Sequence, residues 1–467
     1  MPLAKRISKL FVLIFTFLAV VSAPFLMRGE EPHILSQKER AALYNGWLKV
    51  RFEKVLPAVM RREKIDMWIV VCREHNEDPV YWSLVPQPSM FAWRLTMFVY
   101  FDRGAAGLER LSVNRWGGGD LHKEFAEFYR PAWEPETIDP WERLARIVRE
   151  RNPKRIAVDE SETFAFADGL SAENKAKLVK ALGPELAARL VSAERLAVGW
   201  LETRTAGELD FYPRIVALNH RIVREAFSDR VIKPGMTTID DLEWWVRERL
   251  DELKVATWFP PMFYIVRPGP GDPNDKNGRV IRRGDMLRCD IGVSYLGLNS
   301  DIQEVAYILK EGETEAPKGL RDALALGNRL QDILIGEFRE NRTGNEILAS
   351  ALRKAKGEGL VPRIYSHPLG YHGHAAGTRI GLPDMQDGVP GMGDYPLYPD
   401  TCFAIELGVR VPIPEWDGRE IQLALEEDAA FRAGGVAWLD GRQTEIILIS
   451  TLEEPESLVH RPSAVIK

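Results

Sequence analysis

Cysteine is scarce in this chain of 467 residues. The three present, Cys72, Cys289 and Cys402, each lie beside or within an apolar run, and an odd count without paired spacing argues against a disulfide framework. They read as small core residues, and none neighbours a base that would make it a nucleophile. Blocks of lysine and arginine are also missing. With a net charge of -6, nucleic acid is not an expected partner. No residue-level repeat is visible. What remains is an ordinary globular composition, 45% hydrophobic and 28% charged, with length for two or three domains and a large core.

The N-terminus departs from that pattern. Lys5, Arg6 and Lys9 precede an unbroken apolar run from Leu10 to Ala23, which matches the n- and h-regions of a secretory signal. Val21-Ser22-Ala23 offers small residues for cleavage, whereas Pro24 hinders a cut directly after them. Continued to Met27, the run reaches the minimum length of a spanning helix. Residues 1–30 are therefore expected to export the protein, periplasmic or secreted, as a cleaved signal or as an N-terminal membrane anchor.

Between residues 31 and 200, helical and strand patterns alternate. Ser36 and Glu39 form a capping-box signature for a helix that Pro57 kinks or divides. Met67–Cys72, Leu95–Phe101 and Arg155–Asp159 read as strands, and Asn174–Leu182 and Pro184–Leu190 as helices. This order suggests an α/β domain. The Arg73–Asp78 cluster at a strand end reads as a solvated loop. From residue 201 the order becomes helix–helix–sheet, twice. Thr205/Glu208, Thr238/Asp241 and Thr343/Glu346 open helices, and Lys318–Ile335 has leucines along one face. Strands are expected at Thr401–Val411, Ile421–Leu425 and Glu445–Ser450. Such a repeat predicts a pseudo-two-fold α+β domain, its sheet curved over a site and its helices outside.

The stretch Met286–Tyr307 reads as a strand–turn–strand hairpin with Asp290 on one strand and Asp301 on the other. Three further features join this pair. Ser366-His367-Pro-Leu-Gly370-Tyr-His372-Gly-His374 is Gly-rich, Glu406 interrupts an apolar strand, and Glu426-Glu427-Asp428 ends another. Any one alone is a hydrogen-bonded core acid or a solvated turn. Together, four carboxylates and an imidazole could not all stay ionised in one cavity, because repulsion and desolvation raise carboxylate pKa values. Two divalent cations relieve that conflict. The donor set suits manganese, cobalt, iron or zinc without choosing among them, though manganese is the expected ion, and two such ions roughly 3.5–4 Å apart can bridge a water and polarise a carbonyl.

At these residues the chain resembles the pita-bread metallopeptidases (the M24 group), which include methionine aminopeptidase, Xaa-Pro aminopeptidase and prolidase. The resemblance rests on Asp290-x-Gly292 with Asp301, His367-x-x-Gly370 with His374, Glu406 and Glu426, and covers residues 201–450. Residues 31–200 are similar to the N-terminal domain of the creatinase/prolidase branch. The resemblance implies a pita-bread domain over 201–467 and a dinuclear exopeptidase hydrolysing Xaa-Pro bonds in small peptides through a metal-bridging hydroxide. It assigns Asp290, Asp301 and Glu426 to one metal and Asp301, His367, Glu406 and Glu426 to the other. Glu406 becomes the general base and His374 a substrate contact. Glu426 is preferred to Glu427 because it directly follows Leu425, and His372 has no counterpart in the motif. A homodimer is expected. Pro273 and Ala424 stand where the Xaa-Pro branch usually carries a substrate-contacting His and an Arg, and Arg267 is one source of replacement charge. The alternatives are a creatinase-like hydrolase of a non-peptide C–N bond, whose relatives lack the full ligand set, and a non-catalytic pita-bread binding module.

Overall fold

The computed structural model describes residues 33–114, 123–134, 138–268 and 280–450. The export segment and Pro273 lie outside the described residues. Residues 35–467 form one compact unit; of the stretch before them, only 33 and 34 are described. Among the described residues no helix is long and apolar enough to cross a membrane.

The first helix, Gln37–Val50, starts where its capping box places it. The Ser36 hydroxyl accepts from the Glu39 N–H, and the Glu39 carboxylate accepts from the Ser36 N–H. A π-turn, Arg51–Val55, separates it from the helix Leu56–Arg62, which has Pro57 in its first turn. These helices cover a six-stranded sheet whose centre is Met67–Arg73, antiparallel to Leu95–Asp102 and parallel to Ile156–Val158. Burial on both faces explains its continuous apolar run. The two anticipated helices near residue 183 lie within Ala172–Ala187 and are parted at Gly183, whose φ of 72° is not helical; the second ends at Ala187, short of Leu190. The Arg73–Asp78 loop is only partly solvated. Asp78 is buried beside Asp159, and burial pushes it up to about 6 against the pull of hydrogen bonds with the Val80 N–H and Asp159.

The second half carries the anticipated order. The helices Ala206–Ala226 and Ile239–Glu252 precede Met262–Val266, Met286–Asp290 and Val305–Ile308, and Lys318–Ile335 and Gly344–Gly357 precede the remaining strands. Three of the four helices open on the expected capping boxes. Leu320, Leu324, Leu330 and Leu334 pack with Val409, Leu423 and Leu425 in one core. At Gly327 the helix comes so close to Leu425 that a Cβ would stand 2.7 Å from its Cδ1.

One anticipated strand is interrupted and another is followed at once by an unanticipated one, and both breaks fall at acids. Thr401–Val411 is in fact Thr401–Ala404 followed by Leu407–Ile413. The expected Ile421–Leu425 lies within Arg419–Leu425, and after Glu426 and Glu427 comes the strand Asp428–Arg432. Leu407–Ile413 pairs with Arg419–Leu425 in one sheet, and Thr401–Ala404 with Asp428–Arg432 in another. The strand pair therefore passes from sheet to sheet at Glu406 and Glu426. The hairpin breaks in the same way: Met286–Asp290 and Val305–Ile308 pair at its base, Ser294–Tyr295 and Leu298–Asn299 at its tip. Asp301 lies in the bend between rather than on a regular strand. All four acids thus sit where the sheets curve, which turns their side chains toward one place.

Candidate metal centre

Asp290, Asp301, His367, Glu406 and Glu426 come together in that curve. Ligand atoms of Asp290, Asp301 and Glu426 lie within 4.8 Å of one another, as do those of His367, Glu406 and Glu426, and those of Asp301, His367 and His374. His367 Nε2 is 3.5 Å from both Asp301 Oδ2 and Glu426 Oε1. His367 Nδ1 faces the Pro368 carbonyl at 3.1 Å, which fixes the proton there and leaves Nε2 as a lone pair. Burial, then the charges of Arg379 and His374, hold this imidazole neutral, well below its usual pKa.

The carboxylates respond in the opposite direction. Burial first, then the neighbouring Asp290 and Glu406 charges, raise Asp301 well above the usual carboxylate range. Glu426 is raised by burial and by Asp301, Glu406 and Asp290. Glu406 is pushed up to about 8 by burial and Asp290, against the pull of Gln303, Arg288 and Arg379. Asp301 Oδ1, Glu426 Oε1 and His367 Nε2 are buried without a hydrogen-bond partner. Acceptor atoms this close, unsatisfied and aimed together, fit a cation and conflict with an empty apolar interior. The all-oxygen set with one imidazole fits divalent ions such as manganese, cobalt, iron or zinc.

Alternation along the chain separates Glu426 from its neighbour. Glu427 turns to the opposite side, where His220 Nε2 stands 2.9 Å from its Oε2 and His220 Nδ1 2.8 Å from Asp440 Oδ2. Those carboxylates outweigh burial and raise His220 to about 9. Asp428 returns to the front, and its carboxylate accepts from the Asp301 N–H at 3.1 Å.

The His-bearing loop is fixed from the hairpin. The Asn299 side chain and backbone N–H both donate to the Gly370 carbonyl. Trp258 fills the space between hairpin and loop. A Cβ at Gly292 would stand 2.3 Å from its Nε1, and one at Gly373 2.1 Å from its ring. The indole packs edge-on against His374, centroids 4.9 Å apart, and His374 in turn meets His367 at 4.7 Å. Partial desolvation and the Arg379 charge bring His374 down to about 4. His372 points elsewhere, stacked on Phe166 at 4.1 Å. Arg267 is not free to serve the cavity, because Asp285 holds it at 2.7 and 2.9 Å.

Sequence reasoning missed four contributors. Gln303 Nε2 donates to Glu406 Oε1 at 3.0 Å and to Glu426 Oε2 at 2.6 Å. Gln303 follows Asp301 by two residues, a spacing that signals a shared face. Asp428 follows Glu426 by the same spacing. Trp258 and the buried Arg379, which donates to the Tyr365 hydroxyl at 3.0 Å, carried no such signal. In front of Asp290 and Glu406 opens a cavity of about 520 Å³.

The sequence model of metallopeptidase family M24 matches residues 213–440. That half of the chain belongs to the M24 family. The fold is accordingly the pita-bread fold with a preceding N-terminal domain. An X-Pro aminopeptidase from Thermotoga maritima superposes with a TM-score of 0.61 at 16% identity, covering 84% of this chain and 99% of that one. The dipeptidase PepE from Mycobacterium ulcerans gives 0.60 at 18% identity, covering 86% and 98%. The N-terminal domain of the FACT complex subunit SPT16 from Cicer arietinum gives 0.51 at 12%, covering 89% and 99%. At these identities the likeness is one of fold. No relative was found among curated protein sequences. Within the M24 domain, the acid-and-imidazole cluster lies at the sheet bends just described.

Proposed function

We propose that the protein is a dinuclear metal-dependent exopeptidase that hydrolyses Xaa-Pro bonds of small peptides, as an aminopeptidase or dipeptidase. The observation that carries this reading is the convergence of five side chains, of which Asp301, His367 and Glu426 each have a buried ligand atom without a hydrogen-bond partner. Asp290, Asp301 and Glu426 would hold one ion and Asp301, His367, Glu406 and Glu426 the other, with manganese the first candidate. When bound, such ions neutralise the carboxylates, polarise a carbonyl and make water nucleophilic at neutral pH. Glu406, steadied through Oε1 by Gln303, would take a proton and return it to the leaving amine. His374, against which Trp258 packs, would contact the substrate. The proline preference draws on the X-Pro aminopeptidase among the structural neighbours.

We further read residues 1–30 as an export signal or anchor, 31–200 as the N-terminal domain and 201–467 as the catalytic domain, in an exported homodimer. The division is supported by the six-stranded sheet, which uses only strands between Met67 and Ser192.

The test is metal content and hydrolysis of paired Xaa-Pro and Xaa-Ala di- and tripeptides by the purified protein. Two ions per chain and cleavage of Xaa-Pro bonds are expected, and Asp301→Asn or His367→Ala abolishes cleavage and lowers bound metal. Full activity after metal removal would sink the reading. Cleavage of Xaa-Ala but not Xaa-Pro substrates would refute the proline assignment alone.

A further inference from the structure

Behind the sheet bends lies a second cluster of ligand-type atoms. Gln303 pairs across the bend with Glu426, and both side chains face the front centre, where they hydrogen-bond. Alternation sends the next residue of each chain, Glu304 and Glu427, to the rear. There they meet His220, on the buried side of the helix Ala206–Ala226. Ligand atoms of His220, Glu304 and Glu427 lie within 4.8 Å of one another. His220 Nε2 is 2.9 Å from Glu427 Oε2 and 3.9 Å from Glu304 Oε1. None of the three residues is more than 5% exposed.

A closed hydrogen-bond network does not account for Glu304. Its Oε2 is buried without a hydrogen-bond partner among the described residues, and its Oε1 stands beyond hydrogen-bond reach of the imidazole. A buried carboxylate without a partner is costly, and this one is turned toward a second carboxylate. The surrounding contacts are those that support a metal-binding histidine. His220 Nδ1 faces Asp440 Oδ2 at 2.8 Å, which holds the ring with Nε2 toward the two glutamates. Glu427 Oε1 accepts from the Gln443 N–H at 2.6 Å, leaving Oε2 to the cluster. The Asp440 side chain is 35% exposed and gives the cluster a way to solvent.

We propose that His220, Glu304 and Glu427 form a separate, mononuclear site for a divalent cation, zinc the first candidate, with Asp440 orienting the imidazole. One imidazole nitrogen and two carboxylate oxygens are donors that zinc accepts. On binding, the ion takes the place of the proton on His220 Nε2, which passes to solvent. Its role is structural. It ties the helix Ala206–Ala226 to the two segments that carry Asp301 and Glu426, and so fixes the bends from behind.

The test counts zinc on the full chain, stripped with chelator and reloaded with zinc chloride. The double variant Asp301→Asn/His367→Ala disables the front centre and is expected to keep one zinc per chain. Asp440→Asn, added to it, should weaken that zinc by about 10- to 100-fold in competition with a chelating dye, and Glu304→Gln by more. Zinc should raise the melting temperature of the double variant but not of the triple variant with Glu304→Gln. In the wild-type background, Glu304→Gln should remove one zinc per chain and leave the front ions in place. Glu304→Gln keeps the shape of the side chain and removes a buried unpaired charge, so the metal-free variant should melt no lower than its parent. Absence of zinc from the folded double variant overturns the proposal, as does zinc binding that neither Glu304→Gln nor Asp440→Asn alters. The peptidase reading stands or falls separately on peptide hydrolysis, because this readout is bound zinc and requires no turnover.

Discussion

Gln303 holds two carboxylates of the cluster with a single amide nitrogen, 3.0 Å from Glu406 and 2.6 Å from Glu426. Partners of this kind set the orientation of metal-ligating side chains. Gln303→Ala should therefore weaken metal affinity by about 10- to 100-fold with the fold intact, measured by competition with a chelating dye alongside circular dichroism. The acids themselves were legible in the sequence because each is an expensive residue in an apolar run, and Glu426 was preferred to Glu427 because it directly follows Leu425. Arg379 and Trp258 were not legible. A buried arginine or tryptophan looks the same in sequence whether it faces a core or a cavity, and only the folded chain shows that Trp258 props His374.

At the scale of elements, the capping boxes located helix starts to the residue, because each is a local hydrogen-bond exchange. The strand break at Glu406 and the strand that follows Glu426 escaped notice because they come from long-range pairing: the segments before and after each acid belong to different sheets. The close approach of Gly373 to Trp258 makes a sharp test. Gly373→Ala should destabilise by about 1–3 kcal/mol through overpacking and lower activity by shifting His374. The double variant with Trp258→Ala should lose less than the sum of the two singles, as thermal denaturation and rate assays would show.

The helix Glu194–Glu202 ends on a buried acid that accepts from the Tyr395 hydroxyl at 2.9 Å. Burial raises Glu202 to about 8 although Arg62 and Tyr395 pull it down. The native state therefore keeps this proton to higher pH than the unfolded chain, where a glutamate titrates near about 4.3. Its contribution is complete below that value and is lost as pH rises toward 8. Glu202→Gln, which carries no charge, should gain stability relative to wild type between pH 5 and pH 9, by on the order of a few kcal/mol. Melting curves at the two pH values check the sign.

For the molecule as a whole, the metal centre joins strands from distant parts of the sequence. Bound ions should stabilise the native state by mass action, about 2.7 kcal/mol at a free concentration 100 times Kd. Chelation should accordingly lower the melting temperature by several degrees, and manganese, cobalt, iron or zinc should restore it. A smaller shift is expected in Asp301→Asn. The overall architecture was readable because the order helix–helix–sheet occurs twice, whereas the way the sheets bend toward each other depends on pairings that no single segment contains.

One such pairing has a temporal side. Ile447–Ile449 lies parallel to Val305–Ile308, the strand that closes the hairpin of Asp290 and Asp301. A chain leaving the ribosome in order therefore presents these two aspartates long before their outer neighbour strand, and before Glu406 and Glu426, exist. Until then the hairpin has an open edge and half a set of donors. The five side chains can therefore converge only after residue 426 has been made, and the hairpin's outer edge is covered only once residues 447–449 follow.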